Sequence, residues 1–380
     1  MQLIFFDFIY SYGGAQQATA LLLNRLSKSS PTLKVTPIVF DNFDPRFMKA
    51  IKPLQTKCLE SRFSGALITR QKSPFTFFLA YVTGFFHFLK ATRSALDAGN
   101  GEILLLTNSV KGLVYLVAAR ALIGRKIKVF FYVRGSGSEN SIGDSSLFFT
   151  RVFVDKYLCV SNNTRENIIR RGVCPEKSFV TYTTIEWPDH LTEPSSFSSQ
   201  TRCRLKLLYA ASIIEGKGLD KLLKAIGKAR INMPVHLVIA GDIPYESHRL
   251  FRERCIALSA ELPPSVTTEW LGWVDGMQSV ISSVDAVVLL SDDEGLPRII
   301  QEAMMFKKAV LSTAVGGAPE LVEDGVTGVL CGSEEREIVT ALERLANSDV
   351  DKMGRLGFEK LSTMLSPKSQ LERVQRALWS

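Results

Sequence analysis

Ala286-Val287-Val288-Leu289-Leu290-Ser291-Asp292-Asp293-Glu294-Gly295-Leu296-Pro297-Arg298-Ile299-Ile300-Gln301-Glu302-Ala303-Met304 passes from apolar, β-type residues through two chain breakers into a helical pattern. Ala286 to Leu290 read as a buried strand, Gly295 and Pro297 punctuate a loop, and Pro suits a first helical position, so the stretch predicts strand, loop, helix. Glu294 then sits on the loop and Glu302 inside the helix. In an open parallel sheet ligands bind at the carboxyl ends of strands, and carboxylates there accept hydrogen bonds from hydroxyls. The pair is therefore a candidate site for two parts of one polyhydroxyl ligand.

The same rhythm extends outward. Apolar β-type runs at 205–210, 236–240, 267–271 and 309–312 alternate with helix-type runs, and those at 2–8, 34–39, 103–106, 128–132 and 156–160 repeat the pattern in the first half. Strands alternating with helices predict parallel, doubly wound α/β sheets. Residues 187–200 are rich in Pro and Ser with little periodicity and read as a linker. The expected division is a first domain over 1–188, a linker over 189–204, a second domain over 205–365 and a final helix over 366–380, in which Leu371, Val374 and Leu378 share a core-facing side. Two such units would leave a cleft lined by strand carboxyl ends.

With 380 residues, 46% hydrophobic and 22% charged, the chain has the makeup of a globular protein with a large core. Its six cysteines form no CxxC pair and have no His at metal spacing, which argues against zinc or a disulfide framework and for a reducing compartment. The start reaches Asp7 without a basic segment and reads as a strand rather than a signal peptide. No apolar run attains the roughly 20 residues that span a bilayer. The best, 75–89, is interrupted by Thr76, Thr83, Gly84 and His87, and its phenylalanines serve either the first domain's core or a membrane face. Residues 1–200 hold 24 Lys and Arg against 14 Asp and Glu, the remainder 22 against 24. A basic first half suits an anionic lipid surface or a diphosphate-linked acceptor, or is simply a soluble basic surface. No nucleic-acid module accompanies it, so no nucleic-acid partner is expected.

Downstream of the glutamates stand Ala309-Val310-Leu311-Ser312-Thr313-Ala314-Val315-Gly316-Gly317-Ala318-Pro319-Glu320-Leu321-Val322 and Asp324-Gly325-Val326-Thr327-Gly328. From about Ser212 to Gly328 the chain resembles the retaining family 4 glycosyltransferases, which carry a Glu, seven residues, Glu signature followed by Gly-Gly and Pro-Glu. The resemblance implies the GT-B fold: two Rossmann-like, doubly wound parallel-sheet domains facing a cleft, the nucleotide sugar on the second domain and the last helix packing back on the first.

The resemblance also implies roles. Glu302 accepts the ribose hydroxyls of the donor, and Glu294, with backbone amides near Gly295 and Leu296, fixes the donor sugar. In Ser212-Ile213-Ile214-Glu215-Gly216-Lys217-Gly218, Lys217 matches the family's Lys that neutralises the departing diphosphate. Gly13-Gly14, at a helix start after the first strand, matches a loop that closes over the diphosphate through the Gly14 amide. By their own chemistry the paired glycines fit a phosphate or an ordinary turn. Two residues depart from the pattern. Ser212 stands where the family usually has Arg and offers a hydrogen bond without charge, with Arg298 the candidate to compensate. Arg134 stands where many members have His; it can bind phosphate or a sugar hydroxyl, or form a salt bridge with Glu139 or Asp144. His236 reads as structural, and Trp273 reads as a half-buried aromatic or a stacking platform for a base.

The implied activity is retaining transfer of a sugar from a nucleoside diphosphate sugar to a hydroxyl of a glycan or polyprenyl-linked acceptor, in surface polysaccharide biosynthesis. Glu294, Lys217 and Arg134 are the catalytic candidates. No cofactor or metal is implied, since Asp292-Asp293 is adjacent rather than alternating. The expected location is cytoplasmic, with peripheral contact at the inner face of the plasma membrane through the basic half. Two other readings stand beside this one: a GT-B nucleotide-sugar epimerase, and a non-catalytic GT-B partner protein, the latter motivated by Ser212 and Arg134.

Overall fold

The computed structural model describes residues 1–7, 13–30, 32–40, 45–54, 56–59, 74–96, 101–123, 126–137, 142–183, 185–187 and 203–379. The chain divides into two units, Met1–Glu186 with Lys368–Ser380, and Trp187–Pro367. The linker expected over 189–204 lies outside the described residues up to 202, as does Glu139.

The first unit runs β1 (Gln2–Phe6), α1 (Gly14–Ser29), β2 (Lys34–Phe40), α2 (Pro45–Ile51), β3 (Lys57–Leu59), α3 (Pro74–Ala95), β4 (Ile103–Thr107), α4 (Val110–Ile123), β5 (Ile127–Val133), α5 (Asp144–Phe153), β6 (Lys156–Cys159), α6 (Asn162–Arg170) and β7 (Ser178–Val180). Its sheet is parallel throughout, in the order β3-β2-β1-β4-β5-β6-β7, with Gln2 of β1 paired to Lys34 on one side and Ile103 on the other. The central strands QLIFF and ILLLT are buried along their whole length, because helices cover both faces of a parallel sheet and leave no polar side. Phe88 of α3 sits 4.4 Å from the Phe6 ring and 5.6 Å from Tyr115, so it fills this core, whereas Phe86 two residues earlier is 60% exposed. The stretch 75–89 therefore contributes to the first unit's core through Phe88 while leaving Phe86 at the surface.

The second unit runs β8 (Leu205–Ala210), α7 (Leu219–Ile226), β9 (Val235–Ala240), α8 (Arg249–Ala260), β10 (Val266–Gly272), α9 (Gln278–Ser282), β11 (Ala286–Leu289), α10 (Arg298–Met305), β12 (Ala309–Thr313), α11 (Ala318–Leu321), β13 (Val329–Cys331), α12 (Glu335–Ala346) and α13 (Val350–Met364). Its parallel sheet has the order β10-β9-β8-β11-β12-β13. Each sheet thus reverses direction once, between β1 and β4 in the first unit and between β8 and β11 in the second. This is the doubly wound pattern, with its ligand crevice at the reversal. Leu219, Leu222, Leu223 and Ile226 of α7 are buried against β8 and β9, the helical spacing of apolar residues that drives this packing.

The last helix is α14 (Pro367–Trp379), which from Lys368 onward belongs to the first unit. Gln370 is held from two sides: its Nε2 donates to the Thr183 carbonyl at 3.0 Å, and Arg25 Nη1 donates to its Oε1 at 3.1 Å. Lys156 Nζ donates to the Ala377 carbonyl at 3.0 Å, and Val374, Ala377 and Leu378 are buried. Three short edge strands, β3, β7 and β13, were not among the expected runs. Pro297 is the N-cap of α10 in extended conformation, rather than its first helical residue.

Candidate active site

The reversal point of the second sheet brings two loops together. β8 ends at Ala210 and β11, its hydrogen-bonded neighbour, ends at Leu289, so the loops 211–218 and 290–297 leave the sheet side by side. Their backbones lock: the Asp292 amide donates to the Gly216 carbonyl at 2.9 Å. At Gly218, with φ +76°, a Cβ would lie 2.2 Å from the Leu290 carbonyl oxygen, so no larger residue can stand there.

On this frame Lys217 Nζ donates to Glu294 Oε1 at 2.7 Å, in an ion pair whose side chains are 28% and 15% exposed. Ser291, fully buried, donates its hydroxyl to the same oxygen at 2.7 Å, and its own carbonyl accepts from Thr313 Oγ1 at 2.6 Å. One turn into α10, Arg298 Nη2 donates to Glu302 Oε1 at 2.9 Å. Each glutamate therefore spends one oxygen inside the protein, and among the described residues no donor reaches the other. Burial pushes the Glu302 carboxyl above its ordinary value, and the Arg298 charge opposes that shift. Although the carboxylate is largely enclosed by protein, 23% of the side chain remains exposed. The first turns of α7 and α10 both begin at this place and add their positive dipole ends.

Gly316-Gly317 supports this loop from behind. Gly316 has φ +53°, and a Cβ there would fall 1.6 Å from the Glu294 carbonyl oxygen; the Gly317 amide donates to the Gly295 carbonyl at 3.0 Å. Gly295 and Leu296 are buried. Ser212 is exposed at the mouth of the first loop, and Arg298, expected to replace its missing charge, is engaged with Glu302. Trp273 is 46% exposed, with Nε1 donating to Asp275 at 3.1 Å. His236 bonds Thr267 at 2.9 Å on the neighbouring strand, a structural role.

In the first unit Gly13 is the N-cap of α1, and its amide donates to Gln16 Oε1 at 3.0 Å. Arg134, following β5, donates to the Ala15 carbonyl and the Thr19 hydroxyl, with its guanidinium 5.1 Å from the Tyr132 ring centroid. It thus ties the end of β5 to the first turn of α1. Glu139 and the Asp144 side chain, its alternative partners, lie outside the described residues. The sequence reading missed Ser291, Thr313 and the pair formed by Lys221 and Asp292. Only Ser291 left a signal, a hydroxyl at the end of an apolar strand three residues before Glu294.

Two doubly wound domains, the second with acidic and basic groups at its reversal point, define the GT-B class. The match to known proteins agrees: residues 198–357 fit the family model described as glycosyl transferases group 1. The chain is 22% identical over 338 residues to the lipopolysaccharide 1,6-galactosyltransferase of Salmonella typhimurium, covering 85% of this chain and 82% of that protein. It is 30% identical over 169 residues to the D-inositol 3-phosphate glycosyltransferase of Mycolicibacterium gilvum, covering 43% and 38%. Among solved structures, Anabaena Alr3699/HepE in complex with UDP and glucose superposes with TM-score 0.77 at 18% identity, covering 100% of this chain and 99% of that one.

Proposed function

We propose that this protein is a retaining glycosyltransferase that moves a sugar from a nucleoside diphosphate sugar to a hydroxyl of a glycan or lipid-linked acceptor in surface polysaccharide biosynthesis. The observation that carries the reading is the arrangement of Glu294 and Glu302 at the reversal point of the second sheet. Each holds one oxygen within the protein and offers the other, while Lys217 supplies a cation between the two loops. Glu302 takes the ribose hydroxyls, and Glu294 takes the donor sugar together with the Gly295 and Leu296 backbone. Lys217 and the start of α10 take the diphosphate, since charge that grows on a leaving group is best met by prearranged donors. Within the first domain, Arg134 ties the end of β5 to the first turn of α1, the helix that Gly14 opens.

In this reaction the anomeric carbon's bond to the leaving phosphate oxygen breaks, and its bond to the acceptor oxygen forms on the same face. The acceptor proton passes to the departing phosphate. Glu294 accepts two hydrogen bonds on one oxygen, one from a cation, which suits holding a hydroxyl and not proton abstraction. The named activities of relatives, on lipopolysaccharide and on an undecaprenol-linked glycan, support the class of acceptor.

The test is thermal unfolding of the purified protein with a panel of nucleoside diphosphates and nucleotide sugars, alongside Glu302→Ala and Glu302→Gln. A donor that binds only the folded state raises the melting temperature. One nucleotide class is expected to do so in the wild type and in neither variant. No shift with any nucleotide would favour the non-catalytic partner reading, for which exposed, uncharged Ser212 is the motivating observation. Conversion of a bound nucleotide sugar without an acceptor would favour an epimerase.

A further inference from the structure

We infer that a cavity between β13 and the flank of α12 is a second ligand site, built for a small organic anion with an apolar body. It lies within the second unit and uses none of the residues assigned to the donor, so it stands apart from that reading.

The cavity has a volume of about 560 Å³, a size that suits a small molecule. Its origin is local. β13 is the last strand of its sheet, and α12 begins at Glu335, four residues after the strand ends at Cys331. The helix turns Ile338, Leu342 and Leu345 into the core, while Arg336, Thr340 and Arg344, spaced by four, form a row that borders the cavity. Opposite and beneath that row stand Ala314, Gly332 and Ala341, whose small side chains leave the space open. Leu330 and buried Cys331 complete an apolar floor.

The polar groups of the rim differ in what they have left to give. Arg344 is committed, its Nη2 donating to both Asp324 oxygens at 3.0 and 3.1 Å. Glu337 folds back on the helix start, where its Oε2 accepts from the Glu334 amide at 3.2 Å, and a Cβ on Gly332 would run into this carboxylate. Thr340 donates its hydroxyl to the Arg336 carbonyl at 3.0 Å. Arg336 is exposed, and among the described residues its guanidinium has no hydrogen-bond or ion-pair partner.

These facts select the ligand. A guanidinium presents a planar fork of donors that matches the oxygens of a phosphate or carboxylate. The floor is stabilised only by apolar surface that leaves water with it, so the anion must carry a body and not be a bare ion. An added peptide strand does not fit: Leu330, the central residue of three-residue β13, already donates its amide to Asp324 Oδ1 at 2.9 Å. The site also adjoins the loop that braces Glu294. The Ala314 amide donates to the Cys331 carbonyl at 2.9 Å, and two residues further on Gly316 lies against the Glu294 carbonyl.

The test is a methyl-resonance titration of the full-length protein, isotope-labelled at alanine and leucine. Phenyl phosphate joins an oxyanion to an apolar ring; inorganic phosphate and phenol carry the two parts separately. In the wild type phenyl phosphate should move the Ala314, Leu330 and Ala341 methyl signals, and each separate part should bind at least about tenfold more weakly. Arg336→Gln removes the cation and Thr340→Trp fills the cavity, both at exposed positions, and unfolding curves verify that both fold. Each should weaken phenyl phosphate binding by at least about tenfold and leave the nucleotide-induced thermal shift unchanged. The inference is overturned if millimolar phenyl phosphate leaves these methyls unmoved, if either variant binds it as the wild type does, or if inorganic phosphate binds as tightly. It is equally overturned if a nucleoside diphosphate displaces phenyl phosphate, since the ligand would then belong to the donor site. The titration itself needs no nucleotide, so a failure of the donor reading would show in the thermal shift alone.

Discussion

Glu302 is the residue on which the proposed donor site is most open to test by pH. Burial disfavours its charged form, so its carboxyl titrates above the ordinary value of 4.5, Arg298 only partly restoring it. In the free protein the sign is that of a raised pKa: the contribution of Glu302 to stability is full below 4.5 and is lost as pH rises through the higher folded value. Ligand binding runs the other way. Ribose hydroxyls donate to an ionised carboxylate more strongly than to a carboxylic acid, so affinity for the nucleoside diphosphate should fall on acidification before ordinary carboxylates titrate. Calorimetric titration from neutral pH downward should show that decline in the wild type. Glu302→Gln should bind weakly at every pH with a flat profile over the same range. A wild-type decline that begins only near 4.5 would mean that the enclosed carboxylate is not the group the nucleotide meets.

At the scale of elements, the site depends on one loop being braced by another. The loop after β11 carries Glu294, and the loop after β12 supports it through Gly316, whose positive φ and close approach to the Glu294 carbonyl admit no side chain. Gly325 has a comparable φ of +76° and an open surrounding, the nearest atom to a Cβ there being 3.9 Å away on Arg344. Gly316→Ala and Gly325→Ala should therefore both lose roughly 1–2 kcal/mol from the left-handed backbone. Only Gly316→Ala should also displace Glu294, lose more stability than its control and lose transfer activity. Equal stability and activity in the two variants would show that Gly316 does not brace the loop. The same comparison explains what could be read from sequence. Gly316-Gly317 was recognisable as a pattern, but its work is tertiary, a contact made 22 residues from its partner in the chain. The long strands announced themselves by apolar runs; β3, β7 and β13 have three residues each, too few for a period, and exist because a neighbouring strand pairs with them. Glu294, Glu302 and Lys217 were legible as motif residues. Ser291 and Thr313, which hold Glu294 in place, became visible only when two strand ends met. Arg134 was read as a ligand of the donor or a salt-bridge partner, and its bonds to Ala15 and Thr19 follow from the pairing of β5 in a sheet whose central strand leads into α1.

For the whole molecule, the decisive property is that each unit has its own sheet and its own buried interior, while the chain's last helix belongs to the first. Lys156 shows how that helix is held. Its stem lies among the Phe130 and Phe179 rings, with the ammonium 5.7 and 5.3 Å from their centroids, and Nζ meets the Ala377 carbonyl near the helix's carboxyl end, where a cation also complements the helix dipole. Lys156→Met keeps most of the apolar stem and removes the charged donor, so the loss should be about 1.5–3 kcal/mol, the range for a hydrogen bond to a charged group. Hydrogen exchange can say where that loss is felt. Amides of α14, β6 and β7 should exchange faster in the variant, and those of β8, β11 and α10 should keep their wild-type protection. Added nucleoside diphosphate should slow exchange in 211–218 and 291–302 equally in both proteins, because the groups assigned to it in the second unit owe nothing to Lys156. Should the variant instead speed exchange across the second sheet, or blunt the nucleotide's effect there, the two interiors would not be energetically separate, and the anchoring of α14 would have to be counted among the determinants of donor binding.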